Sequence, residues 1–292
     1  MTVFDCCMFL NENDLYEIRL NQHWNFVDKF LVVEAGETHT GIKKSYNFDH
    51  ERFAPYASKI EYRKFDSFAE AMAQYPELLD ASAQAERGPL HDNMSWTRND
   101  FQTNYYYMLL QELGAQDDDI VYYSCADEII KKSAFDQCVQ ILKDTPKSDD
   151  ALRPIFMFHY WLYAYKINLL HKHWSVDRSG GLTEFGNFKK RLPATIRNHY
   201  ICSHNVADAG WHFTFLDNTD GEMVLQKQRS WAHSKDTIPG QKVKFEHTTK
   251  EEAVARLFAD YKLQIVDILP DTHPQYIIDN IEKFQNIIYK AQ

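Results

Sequence analysis

The run Ile120-Val121-Tyr122-Tyr123-Ser124 is preceded by Asp117-Asp118-Asp119 and followed at once by Cys125-Ala126-Asp127-Glu128. That order predicts a turn, a buried strand and an acidic strand end. A carboxylate just past a buried strand faces the edge where open α/β sheets bind ligands. Hard divalent cations take such oxygen ligands and leave the rest of their shell to water and substrate phosphates. Asp127 is therefore the first candidate to hold a cation against a diphosphate, although a strand-end aspartate equally suits a turn or a helix cap. Its neighbour Glu128 is a candidate general base, as is Asp208; Glu128 could instead cap the following helix. Glu34 closes a second apolar run, Phe30-Leu31-Val32-Val33. It is a cleft candidate on the same ground, or else a solvated loop residue.

Histidine is the other residue type with metal and phosphate chemistry, and the chain has 13. His212 in Gly210-Trp211-His212-Phe213 and His233 in Ser230-Trp231-Ala232-His233 each follow a tryptophan near a predicted strand end. Either could bind a metal, meet a phosphate or serve the fold. His171 and His173 flank Lys172 with alternate spacing, and a solvated loop accounts for them more simply. No GxSxG, GxGxxG or Walker loop occurs, and no cysteine carries a protease-like signature.

These residues need elements to hold them. Helical spacing and caps predict helices over 11–23, 67–80, 95–113, 133–143, 249–262 and 274–290, with Gly114 stopping the third. Strands are expected at the N-terminus, at 30–33 and 120–124, across the aromatic 156–167 region, and at 211–216 and 223–231. Glu86-Arg87-Gly88-Pro89 reads as a loop, and 176–190, with Gly180-Gly181 and Gly186, as a mobile one. Alternating strands and helices predict a single α/β domain over 1–292 with a mixed, mainly parallel sheet.

Composition narrows the partners. The 292 residues carry a net charge of -10, which argues against a nucleic-acid partner, since that needs a basic footprint. The five cysteines have no CxxC spacing, so reduced thiols in the cytoplasm are expected rather than a disulfide framework or zinc ribbon. No apolar run approaches the roughly 20 residues that span a bilayer, and the first residues lack a signal-peptide pattern.

Read together, these segments resemble glycosyltransferase family 17. Phe4-Asp5-Cys6 followed by Asn11 to Leu20 is similar to the family's opening strand and helix. Val33-Glu34 with Thr38-His39-Thr40-Gly41, then Glu51-Arg52-Phe53-Ala54-Pro55-Tyr56, resemble its next two motifs. Trp96, Arg98, Phe101, Gln102 and Asn104 match a helix motif that has arginine where this chain has Thr103. Asp118 to Ile129 resembles its acidic strand end, with Cys125 in place of the first carboxylate of Asp-x-Asp. Gly210-Trp211-His212-Phe213 and Ser230-Trp231-Ala232-His233 complete the series.

The resemblance implies a Rossmann-like type-A fold and inverting transfer of a sugar, such as N-acetylglucosamine, from a UDP-sugar to a glycan hydroxyl. It implies Mn2+ or Mg2+ on Asp127, with His212 and His233 completing the metal or diphosphate site. Arg98 is expected on phosphate. Glu34 and Thr40 are expected at the nucleoside end, and Cys125 and Trp211 at the donor. The rival expectations are a sugar-nucleotide hydrolase and a non-catalytic nucleotide-sugar binding protein.

Overall fold

The computed structural model describes residues 1–79, 93–147, 151–172, 176–198, 200–235 and 248–290. Strand β1 (Val3–Phe9) leads into helix α1 (Asn13–His23), and β2 (Lys29–Ala35) returns parallel to β1. After β3 (Ile60–Phe65), α2 (Phe68–Gln74) and α3 (Asn93–Glu112), β4 (Ile120–Cys125) pairs parallel on the other side of β1. A short β5 (Glu128–Ile130) and α4 (Lys132–Asp144) precede β6 (Phe156–Ala164), β7 (Leu169–His171) and β8 (Val176–Glu184). Helices α5 (Gly186–Lys190) and α6 (Pro193–Asn198) then lead to β9 (His204–Thr214) and α7 (Glu222–Ser230). The chain continues through α8 (Lys250–Tyr261), β10 (Leu263–Ile265) and α9 (Gln275–Asp279).

The strands form one sheet in the order β10-β7-β6-β8-β4-β1-β2-β3, with β9 joining β6 to β5. The block β4-β1-β2-β3 is wholly parallel. Past β4 the pairing turns antiparallel, apart from the parallel β6–β9 ladder. The expected α/β sheet is thus mixed, and its parallel character is concentrated in the first half of the chain.

That half is legible from side-chain alternation. Phe4 and Cys6 of β1, with Leu31 and Val33 of β2, pack against Phe101, Tyr105 and Leu109 of α3. Cys7 and Phe9, with Phe30 and Val32, face Tyr16 and Leu20 of α1 and Phe135 and Cys138 of α4. Helices cover both faces, so these strands read as unbroken apolar runs. α3 ends as its sequence predicts: Gly114 has φ +74°, and the Ala115 N–H donates to the Leu110 carbonyl at 2.9 Å.

Four expected elements differ. The 176–190 loop is strand β8 followed by α5; a Cβ on Gly181 would collide with the Tyr123 ring, so the glycine marks close approach. The 223–231 strand is helix α7, with Val224, Leu225 and Gln228 buried on one face. Its start is fixed by Asp217, which accepts from the N–H groups of Gly221 (2.7 Å) and Met223 (3.1 Å). The helix over 67–80 stops at Gln74, ahead of Pro76. The one over 274–290 is short α9 and then a 3-10 turn, broken where the Asn280 side chain donates to the Tyr276 carbonyl at 2.9 Å. The Glu86–Pro89 loop and His173 lie outside the described residues; His171 is in β7, buried against Tyr261.

The C-terminal segment is tied down by a buried imidazole. His273 Nε2 lies 2.8 Å from the Ile167 carbonyl, and Nδ1 lies 2.8 Å from the Thr272 hydroxyl. A neutral ring that donates from Nε2 and accepts at Nδ1 satisfies both. Burial holds its pKa down at about 4. The unfolded chain takes up this proton near pH 6.5, whereas the folded chain does not until about pH 4. Stability therefore falls as pH drops through that window, by about 3 kcal/mol from this group. Melting temperatures across the window should decline for the wild type and less steeply for His273→Gln. A flat wild-type profile would exclude the neutral buried ring.

Candidate active site

A cleft of about 510 Å³ opens at the carboxyl ends of β1, β2 and β4. Its floor is the turn Cys125-Ala126-Asp127-Glu128 between β4 and β5. Four hydrogen bonds fix that turn and the strand end before it. Buried Arg19 on α1 donates from Nη1 to the carbonyls of Cys125 and Glu128, both at 2.7 Å. The same side chain donates from Nη2 to the Ser124 hydroxyl at 2.7 Å. From the other side, the Phe213 N–H of β9 donates to the Asp127 carbonyl at 2.9 Å. β9 approaches so closely that a Cβ on Gly210 would overlap the Ile129 carbonyl, which explains the glycine before Trp211-His212.

Two ion pairs cross the floor, each between a buried carboxylate and a partly buried cation. Lys227 on α7 places Nζ 2.5 Å from Asp127 Oδ2, and His212 Nε2 lies 3.5 Å from the same oxygen. Burial alone would raise the Asp127 carboxyl, but the Lys227 ammonium and then His212 pull it far below the carboxylate range. Asp127 Oδ1 is buried and accepts no hydrogen bond from the described residues. Arg197 on α6 grips Glu128 through both oxygens, at 2.7 and 3.0 Å. The Cys125 N–H also donates to Glu128, at 3.0 Å. Burial, reinforced by Glu128, pushes the Cys125 thiol well above its ordinary value, so the sulfur is protonated and neutral.

This donor set is a poor cradle for Mn2+ or Mg2+. Cys125, Asp127 and Glu128 bring ligand atoms within 4.8 Å of one another, but proximity is not availability. The thiol is protonated and soft, and Arg197 and a backbone N–H engage both Glu128 oxygens. Asp127 Oδ1 remains, beside an ammonium on the same carboxylate. Unit charges about 4 Å apart repel by about 4 kcal/mol at an effective dielectric near 20, and a divalent ion doubles that. As arranged, the residues do not fit the expected metal.

The other sequence candidates divide between lining the cleft and building its wall. His233 lines the mouth with Trp96 and Trp231, its ring 4.6 and 5.1 Å from theirs. Glu34 is fully buried beneath the cleft. It accepts from Lys44 (2.5 Å), from the N–H groups of Asn47 (2.7 Å) and Phe48 (3.2 Å), and from the Tyr62 hydroxyl (2.9 Å). Glu34 thereby clamps the 37–48 loop. The Thr40 hydroxyl donates to the Arg229 carbonyl at 2.9 Å, and Arg98 Nη1 donates to the His39 carbonyl at 3.0 Å. Both support His39, which does line the cleft. Trp211 is core, its indole N–H donating to the Thr272 carbonyl at 2.7 Å. Asp208 lies off the cleft: it is 62% exposed and holds Lys131 at 2.5 Å and the Trp161 indole at 2.6 Å.

The sequence reading missed Lys227, Arg197, Lys44 and Glu12, all of which line the cleft. Lys227 had one signal, its place a turn and a half before His233 in a segment already singled out. Arg197 had none.

The parallel strands of this α/β fold end at a cleft of paired carboxylates and cations, the edge at which open α/β sheets bind ligands. The sequence profile of glycosyltransferase family 17 matches residues 1–288, and the chain belongs to that family of enzymes. No curated protein matches the chain. Among the described residues no helix is long and apolar enough to cross a membrane.

Proposed function

We propose that this glycosyltransferase moves a sugar such as N-acetylglucosamine from a UDP-sugar to a glycan hydroxyl, with inversion, on a sheet of the type-A kind. The observation that carries the reading is the pair of partly buried cations, Lys227 and Arg197, each meeting a buried carboxylate at the floor of the cleft. Such groups suit a diphosphate leaving group, because they stand ready where its negative charge develops. Trp96, Trp231 and Tyr200 supply apolar faces for sugar rings or a base. Glu128 is the carboxylate that takes the acceptor proton. In a single displacement the acceptor oxygen bonds to the anomeric carbon as the bond from that carbon to the diphosphate oxygen breaks. The electron pair leaves with the diphosphate and the hydroxyl proton passes to Glu128.

The test incubates the chain with a panel of nucleotide sugars, with and without glycan acceptors, and follows nucleoside diphosphate release. Release that requires acceptor, with UDP as product and an inverted anomeric centre by NMR, is the expected result. Equal release without acceptor marks a hydrolase, and binding without release marks a binding protein.

A further inference from the structure

We propose that Lys227 is the resident cation of this cleft: its ammonium, rather than a divalent metal, receives the donor diphosphate. The proposal deepens the glycosyl-transfer reading and rests on it for the identity of the ligand, though not for the state of Asp127.

Three observations point the same way. First, Lys227 is not a surface lysine that happens to reach inward. Its helix is anchored by buried Val224, Leu225 and Gln228, and Asp217 caps its start. The ammonium enters beside the Phe215 ring, 5.4 Å from its centroid, and ends 2.5 Å from Asp127 Oδ2. Secondly, Asp127 directs the ammonium and does not consume it. A lysine carries three donor protons, and Asp127 Oδ2 takes one. Lys227 lines the cleft, so the remaining protons serve oxyanions there. Thirdly, the neighbouring ligand positions offer a hard cation little: a soft sulfur at Cys125 and a carboxylate already gripped by Arg197.

A divalent ion and the ammonium therefore compete for one carboxylate. The ammonium has the advantage of being tethered to a rigid helix, which lowers the ordering cost of binding. On donor arrival Lys227 keeps its bond to Asp127 and donates to a phosphate oxygen. As the sugar leaves, charge grows on the diphosphate and that hydrogen bond strengthens. No proton is transferred from the lysine.

Manganese alone, followed by electron paramagnetic resonance, tests the state of Asp127 without any nucleotide. The full chain is compared with Asp127→Asn, Lys227→Met and Lys227→Met/Asp127→Asn. The wild type should show no Asp127-dependent manganese site. Lys227→Met should gain one, because both carboxylate oxygens are released, and the double variant should lose it again. UDP is then titrated by calorimetry in chelator. Wild type should bind, and Lys227→Met should bind about tenfold to 100-fold more weakly, the worth of one charge-assisted hydrogen bond. Manganese should restore binding to that variant alone. The double variant removes both charges together and strands no buried ion, so its weakened UDP binding is readable even where the single variant folds poorly. A wild-type manganese site that Asp127→Asn abolishes overturns the proposal. So does UDP binding that requires manganese, and that result leaves the donor reading intact. UDP that fails to bind under either condition overturns both.

Discussion

Arg19→Met should cost about 3–5 kcal/mol of folding stability and carry most of the activity with it, because it leaves one buried charge without its partner. Arg19 has no exposed side-chain surface and faces Asp5, which has none either. Its Nε donates to both Asp5 oxygens, at 3.0 and 3.1 Å, while Nη1 and Nη2 hold the Cys125-to-Glu128 turn. Methionine fills the volume and makes none of these bonds. Burial would raise the Asp5 carboxyl, but Arg19 and His23 overcome it and keep the group ionised, below its ordinary value. Its contribution in the wild type is thus present at neutral pH and fades only as pH falls below about 4. In Arg19→Met the balance reverses: the buried carboxyl rises and the folded protein takes up a proton. The gap between wild type and variant should therefore narrow on acidification. Urea unfolding at neutral pH and near pH 5 measures both effects. Arg19→Met/Asp5→Asn should recover much of the stability but little activity, since the turn still lacks its clamp. A loss below about 1 kcal/mol at neutral pH would reduce Arg19 to a surface-like ion pair.

The same contacts show why only part of this site was legible in the sequence. β1, β2 and β4 could be read because burial on both faces writes itself as an apolar run, and the acidic strand end after β4 stood out for the same reason. Asp127, Glu128, His212 and Cys125 were found because they sit on or beside such strands. β8 was not, since its glycines answer to Tyr123 and Tyr160 across the sheet, and close approach looks like a loop from one strand alone. α7 reads as a strand in the sequence because Asp217, which anchors its start, lies four residues upstream of Gly221 across a turn, beyond the reach of periodicity. Lys227 then had no face to point from, although it meets Asp127 across 100 positions of chain. Glu34 shows the converse. Its strand end was placed correctly, yet the side chain turns down into the 37–48 loop and satisfies backbone N–H groups that would otherwise be buried unpaired.

Glu128→Gln should lower kcat by about 100-fold to 10,000-fold, the range for losing a positioned general base, with UDP binding retained or tightened. The split follows from where the carboxylate stands. Glu128 lines the cleft beside Gly180, within the grip of Arg197. Glutamine keeps the shape and still offers Arg197 an oxygen, so the turn and α6 stay in register. It cannot accept the acceptor proton, so chemistry slows. It also removes a negative charge from the floor where the diphosphate binds, and Arg197 is freed to pair with phosphate, which its planar fork suits. A structural role would give the opposite pattern, with binding and turnover falling together and the melting temperature dropping. Single-turnover kinetics and UDP calorimetry on the same preparation separate the two. Unchanged kcat would transfer the base to Glu12 or Glu37, two further carboxylates that line the cleft. Glu12 Oε2 accepts from the N–H groups of Leu10 (2.8 Å) and Asn11 (3.0 Å), which hold that carboxylate in place at the carboxyl end of β1.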